Sequence, residues 1–144
     1  MRIYQITHDY AEHFAHLSPD NLEKLGEMLA DDVVFTDPFN QITGRDDFLS
    51  VFRHMFKIMD NPRFLIGDIA ASDKAGYIRW QMTGQLKSRP AFCIALEGMS
   101  EIHIDQEGLI NVHLDHWDSA SQLLRYIPLA GFFIRRLLRL FRHA

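Results

Sequence analysis

The run from Phe92 to Ile104 alternates without a break, and this alternation constrains the chain more than any other feature. Phe92, Ile94, Leu96, Gly98, Ser100, Ile102 and Ile104 take one face; Cys93, Ala95, Glu97, Met99, Glu101 and His103 take the other. A period of two sustained over that length is a long β-strand. Three more strands are expected beside it, at Phe64–Ala71, Ala75–Lys87 and Leu109–Asp118. The turn signals Ser72-Asp73-Lys74, Ser88-Arg89-Pro90 and Asp105-Gln106-Glu107-Gly108 separate the four.

Upstream the period changes to that of a helix. Ile3, Ile6, Tyr10, Phe14 and Leu17 recur at three- and four-residue spacing, so residues 3–17 read as a first helix. Asp20 can cap a second, from Asn21 to about Ala30, with Leu22, Leu25, Met28 and Leu29 on its apolar side. Val33-Val34-Phe35-Thr36 is a short strand broken by Asp37-Pro38. A third helix then opens at Gly44-Arg45-Asp46-Asp47 and runs to about Met59, where Asn61-Pro62 ends it. Three helices followed by a strand meander predict a segregated α+β domain. Strands so long must curl, and a curled sheet with helices on its concave side encloses a cone-shaped hollow.

The chain has 144 residues, the size of one domain, and 47% of them are hydrophobic, enough for a core without staples. Cys93 is the single cysteine, so neither a disulfide within the chain nor a cysteine-based zinc cluster is available. The first residues lack the apolar stretch of a signal peptide, and no run is long enough to span a bilayer, so a cytoplasmic protein is expected. The net charge of −4 conceals an asymmetry. No acidic residue follows Asp118, whereas Arg125, Arg135, Arg136, Arg139 and Arg142 all do. Residues 1–118 therefore carry −9, which argues against nucleic acid bound across the body.

The stretch Leu29-Ala30-Asp31-Asp32-Val33-Val34-Phe35-Thr36-Asp37-Pro38-Phe39, followed by Gly44-Arg45-Asp46 at a helix start, resembles the nuclear transport factor 2-like superfamily. Its polyketide-cyclase-like (SnoaL-like) and ketosteroid-isomerase branch is the most similar. The run from Ile102 to Asp118, with His113-Leu114-Asp115-His116-Trp117-Asp118 at its end, looks like that family's last two strands. The resemblance covers about residues 5–120 and implies a cystatin-like cone. The expected division is thus a domain of residues 1–120 and a C-terminal segment of residues 121–144, whose own pattern is that of a basic amphipathic helix. The resemblance implies a fold more than a function, because the scaffold hosts isomerases, cyclases, hydrolases, dehydratases and binding proteins.

Carried over residue by residue, the match is partial. Asp37 falls where ketosteroid isomerases hold their proton-shuttling carboxylate, but Ser100 replaces their oxyanion-side acid, and His13 or Phe14 their tyrosine. Against limonene epoxide hydrolases, Asp115 matches one catalytic aspartate and Arg79 the arginine, while Gln81 replaces the second aspartate and Phe35 the tyrosine. Expected catalytic residues are thus Asp37, Asp115 and Arg79. His13, Phe14, Phe35, Gln81, Ser100, His113 and Trp117 are expected to line the substrate pocket.

Each has a plainer reading. Asp37 before Pro38 can cap its own turn. By strand alternation Asp115 shares a face with His113 and Trp117, and a buried carboxylate needs a counter-charge, for which Arg79 is the candidate. If Arg79 and Gln81 point into the cone, then Ile78, Trp80 and Met82 line the outer face, and a second copy of the chain would cover them as a homodimer. His113 and His116 lie on opposite strand faces, and His8, His13 and His16 are spread around a helix, so neither metal nor other cofactor is expected.

From Pro128 the tail reads as a helix with Arg135, Arg136, Arg139, Arg142 and His143 on one side. Phe133, Ile134, Leu137, Leu138, Leu140 and Phe141 take the other. That pattern suits an anionic membrane surface, or packing on the acidic body. Three functions remain in view: a proton-transfer enzyme (isomerase, cyclase or dehydratase) for a small apolar molecule, a carrier of an apolar ligand or lipid held at a membrane, and a dimeric interaction scaffold.

Overall fold

The computed structural model describes residues 2–123 and 129–142. Helices α1 (Arg2–Ala15) and α2 (Leu22–Gly26) come first, then strand β1 (Leu29–Thr36), strand β2 (Gln41–Thr43) and helix α3 (Arg45–Ile58). Four strands follow: β3 (Met59–Ala71), β4 (Gly76–Leu86), β5 (Arg89–Ile104) and β6 (Ile110–His116). Two helices end the described chain, α4 (Ser119–Gln122) and α5 (Ala130–Phe141). All six strands form one sheet in the order β2-β1-β6-β5-β4-β3, antiparallel except where β1 runs parallel to β6.

The expected α+β cone is what forms, with α1 and α3 packed on a curved sheet. The apolar stripe of α1 is buried through Tyr10, Ala11 and Phe14, and that of α3 through Phe48, Leu49 and Phe52. Both meet the inner face of the sheet at Val33, Phe35, Ile78, Ile102 and Ile110. Burial of each large side chain in this layer contributes about 1.5–3 kcal/mol. Asp46 and Asp47 in the first turn of α3 and Lys57 in its last turn match the helix dipole. Gly44 precedes α3 at φ 112°, a backbone conformation that a side chain would strain.

The elements depart from expectation at several points, beginning with α2, which ends at Gly26 so that Leu29 and Ala30 open β1 instead of closing a helix. Asn61-Pro62 lies within β3 rather than between helix and strand: Asn61 adopts φ 49° at a bulge, which bends the strand without ending it. Strand β2 is too short for any periodicity to reveal it. Pro128 and His143 lie outside the described residues.

The strand register corrects the expected orientation of β4. Ile78 pairs with Ser100, and Ser100 pairs with Asp115, so these three share the inner face. Arg79 pairs with Met99, Met99 with His116, and Gln81 with Glu97, all on the outer face. Ile78, Trp80 and Met82 therefore point inward, with Ile78 and Trp80 buried, and Arg79 and Gln81 are exposed on the other side. The homodimer surface expected at Ile78, Trp80 and Met82 is not a surface. A second copy meeting this sheet would meet Arg79, Gln81 and Met99 instead.

Candidate functional site

Between the helices and the inner face of the sheet lies a cavity of about 300 Å³. Its wall is aromatic and aliphatic: Phe14 from α1, Phe52 and Met55 from α3, Phe64 and Ile66 from β3, Trp80 and Met82 from β4, and Ile94 and Leu96 from β5. Phe39, His54, Ile58 and Leu123 also border it, and of these Phe39, His54 and Ile58 are exposed, placing them at the mouth. The polar residues Ser100, His113 and Asp115 sit together on β5 and β6.

These three belong to one chain of hydrogen bonds. Trp80 donates its indole N–H to Ser100 Oγ at 2.9 Å, and Ser100 donates to Asp115 Oδ1 at 2.5 Å. From the other side, His113 Nε2 lies 2.8 Å from the same Oδ1, and His113 Nδ1 lies 2.8 Å from the Tyr10 hydroxyl. A carboxylate only accepts, so His113 donates to it through Nε2–H, and in the neutral ring this leaves Nδ1 to accept from the Tyr10 hydroxyl. Burial, and secondarily the charge of Asp115, push the Tyr10 hydroxyl well above its ordinary range, so it remains a donor. Both branches thus end on one oxygen. Among the described residues, Asp115 Oδ2 has no hydrogen-bond partner.

The surroundings lock this geometry. The His113 side chain is 3% exposed, and its ring lies 5.2–5.9 Å from the rings of Tyr10, Phe14, Phe35 and Phe48. The Asp115 side chain is 16% exposed, against a wall that offers few other polar groups. Electrostatic interactions are strong in such a place because little water competes. Gly98 makes room for the two tryptophan side chains: a Cβ there would lie 2.7 Å from Trp117 Cβ and 2.8 Å from Trp80 Cζ2.

The expected site residues divide accordingly. Asp115, His113, Ser100, Trp117, Phe14 and Phe35 meet at the cavity. Asp37 reaches its edge, but its Oδ1 accepts from the backbone N–H groups of Phe39 and Asn40 and from the Asn40 side chain. That carboxylate closes the turn between β1 and β2. Arg79 and Gln81 are behind the sheet, and the counter-group of Asp115 is His113 instead. His13 does not line the cavity; its Nε2 meets the Asn21 carbonyl at 3.2 Å and ties α1 to the start of α2.

Tyr10 and Trp80 were not expected in the site. Each is an aromatic residue with a polar atom on an otherwise apolar stripe, and such an atom needs a partner once buried. Among the described residues, no three His, Cys, Asp or Glu side chains converge as a metal site.

The helix-backed cone is a nuclear transport factor 2-like fold, and solved structures share it. A hypothetical protein with a ketosteroid isomerase-like fold from Catenulispora acidiphila, in complex with trimethylamine, is 19% identical. That alignment covers 83% of this chain and 89% of that one, with a TM-score of 0.69. An NTF2-like protein of unknown function from Burkholderia pseudomallei is 18% identical over 89% of this chain and 98% of its own, with a TM-score of 0.72. A candidate polyketide cyclase from Xanthomonas campestris is 17% identical over 83% and 93%, with a TM-score of 0.69. The family model for the SnoaL-like domain matches residues 10–113, and the chain belongs to that family. No curated protein matches it in sequence.

Proposed function

We propose that this SnoaL-like protein binds a small apolar organic molecule in its cavity and moves a proton on it with Asp115. One observation carries the reading: Asp115 presents to an apolar cavity a carboxylate with Oδ1 anchored twice and Oδ2 unpartnered among the described residues. Anchoring one oxygen fixes the carboxylate plane and leaves the other as a positioned base. Oδ2 takes a proton from a C–H or O–H group of the substrate, and the resulting carboxylic acid returns it to another atom. Isomerisation, cyclisation and dehydration can all proceed through such a transfer. Ser100 and His113 orient the base, and Tyr10 holds the His113 tautomer.

The test works whichever product forms. Native mass spectrometry of freshly purified protein identifies a retained molecule, and a panel of apolar ketones is then incubated with the protein in D2O. Deuterium uptake catalysed by the wild type, and reduced about 10²–10⁴-fold in Asp115→Asn, is the expected result. Equal uptake by both proteins would sink the catalytic reading.

A second reading rests on a different feature of the same cluster. Apart from Asp115 Oδ2, the polar groups of Trp80, Ser100, Asp115, His113 and Tyr10 already pair with one another, as those of a carrier for an apolar ligand would. Ligand retention by both wild type and Asp115→Asn, without exchange in either, favours the carrier.

A further inference from the structure

Helix α5 carries an apolar face that is largely open to solvent, with Ile134 and Leu138 half-buried along one edge. At about 100° per residue, Phe133, Ile134, Leu137, Leu138, Leu140 and Phe141 fall within one arc of roughly 160°. Phe133, Leu137, Leu140 and Phe141 are between 56% and 82% exposed. Arg135, Arg136 and Arg139 lie opposite, and Arg142 follows at the C-cap. Phe132 interrupts the basic side, stacked edge-on against Phe133 at 5.5 Å. No acidic side chain occurs anywhere after Asp118.

We infer that α5 docks into the interface of an anionic phospholipid bilayer, independently of what the cavity binds. The occupant must offer apolar depth and negative charge along one plane, and a headgroup–acyl boundary does both. Twelve residues make a helix about 18 Å long, too short to cross a bilayer core of about 30 Å, so α5 lies in the surface. Among the described residues, no helix is long and apolar enough to cross.

Other occupants match only half of the helix. The acidic body could attract the arginines, but that leaves the apolar face in water. Of the body's own exposed large apolar side chains, Phe39 and Ile58 share the cavity mouth, while Tyr4, Leu65 and Met99 lie on α1, β3 and β5 and do not line that cavity. Nucleic acid would satisfy the arginines and likewise leave Phe133, Leu137, Leu140 and Phe141 uncovered.

The placement of the tail gives this docking a consequence. Gln122 bonds through its side chain to both the N–H and the C=O of Glu97, at 2.6 and 3.0 Å, and fastens α4 to β5. Leu123 borders the cavity, and Leu129 is six residues further on, a reach of at most about 20 Å. A bilayer holding α5 therefore lies close to the cavity wall, where apolar molecules concentrate.

Flotation of the full-length protein with vesicles tests the inference. The wild type is expected to float with phosphatidylcholine vesicles containing phosphatidylglycerol, to stay down with phosphatidylcholine alone, and to be released by raised salt. Arginine near such a surface is worth about fivefold in binding, so Arg136→Gln/Arg139→Gln/Arg142→Gln is expected to lose at least tenfold. Phe133→Ser/Leu137→Ser/Leu140→Ser is expected to abolish flotation with an unchanged melting temperature, and Asp115→Asn to float like the wild type. Absence of wild-type flotation overturns the inference, as does flotation that the serine variant retains. If instead the serine variant only lowers the melting temperature, α5 packs on its own body. A change only in sedimentation means that it packs on a second copy, and arginine-dependent RNA retention without flotation means that it binds nucleic acid. Each of these three results also overturns the lipid assignment.

Discussion

Strands β5 and β6 carry a carboxylate–imidazole cluster on each of their two faces, and the two clusters live in different worlds. On the inner face, His113 Nε2 meets Asp115 at 2.8 Å, with the side chains 3% and 16% exposed. On the outer face, Glu101 meets His103 at 2.8 Å and His116 at 3.2 Å, and these three side chains are 26%, 39% and 55% exposed. The His113–Asp115 and His103–Glu101 contacts have the same length. What differs is the medium: aromatic rings surround the inner pair, while water competes with the outer one and screens it. Residue type and contact geometry therefore do not identify a site on their own. The surroundings decide which pair can hold a reactive group in a fixed state.

Removing the imidazoles should separate the two clusters most. His113→Leu leaves the Asp115 carboxylate and the Tyr10 hydroxyl short of a partner inside the protein, and breaking a buried pair of this sort costs about 3 kcal/mol. In a domain of this size that lowers Tm by about 10 °C. His103→Leu on the outer face is expected to stay within about 0.5 kcal/mol. Paired melting curves check this, and a similar loss from both variants would refute the distinction between the faces.

Gly98 offers a steric version of the same contrast. Besides the Trp80 indole and the Trp117 Cβ, a Cβ at this position would approach the His116 carbonyl oxygen to 2.8 Å, and backbone cannot swing aside as a side chain can. Gly98→Ala is expected to cost about 2 kcal/mol, the typical penalty of overpacking. Its neighbour Met99 points outward and is 41% exposed, so Met99→Ala should be close to neutral. Chemical denaturation of both variants measures the difference.

Much of this arrangement is legible in the sequence, and the failures have identifiable causes. Alternation places Ser100 on one face of β5, and His113 and Asp115 on one face of β6, as observed, whereas Trp117, expected in the same strand, lies just past its end. On β4 alternation separates Arg79 and Gln81 from Ile78, Trp80 and Met82 without saying which set is inside. Ordinary burial rules favour the apolar set and resemblance to epoxide hydrolases favours Arg79; the burial rules prevail, and His113 rather than Arg79 meets the Asp115 carboxylate. Tyr10 is visible as part of an apolar stripe, but its partner His113 is 103 residues away, and only the tertiary fold brings them together. Asp37 has a local signal, the Asp-Pro-Phe-Asn turn, and the turn is what its carboxylate serves.

Tyr10 gives a smaller prediction with a pH signature. Tyr10→Phe removes the hydroxyl that pairs with His113 Nδ1 and is expected to cost about 1 kcal/mol near neutrality. In the folded protein the hydroxyl loses its proton well above the ordinary value of 10.0, chiefly because it is buried. Its contribution is therefore complete below pH 10 and declines as the pH rises beyond that point, since the unfolded chain then releases a proton that the folded one retains. The stability gap between wild type and Tyr10→Phe should narrow above about pH 10. A gap that widens there would mean that the hydroxyl ionises more easily in the fold than outside it.

The weakest expected effect belongs to the outer cluster and has the opposite sign. The hydrogen bond from His103, aided by that from His116, lowers the Glu101 carboxyl below its ordinary 4.5, outweighing the burial that would raise it. A depressed carboxyl contributes stability that is present above pH 4.5 and is lost as the pH falls through its folded value. Glu101→Gln should thus be slightly less stable than wild type at pH 5–7, by a few tenths of a kcal/mol at this exposure, and the difference should fade in acid. Melting temperatures of the two proteins between pH 3 and 7 decide it. A difference that grows as the pH falls below 4.5 would show that the glutamate opposes the fold, and the outer cluster could no longer be treated as a solvent-screened counterpart of the inner one.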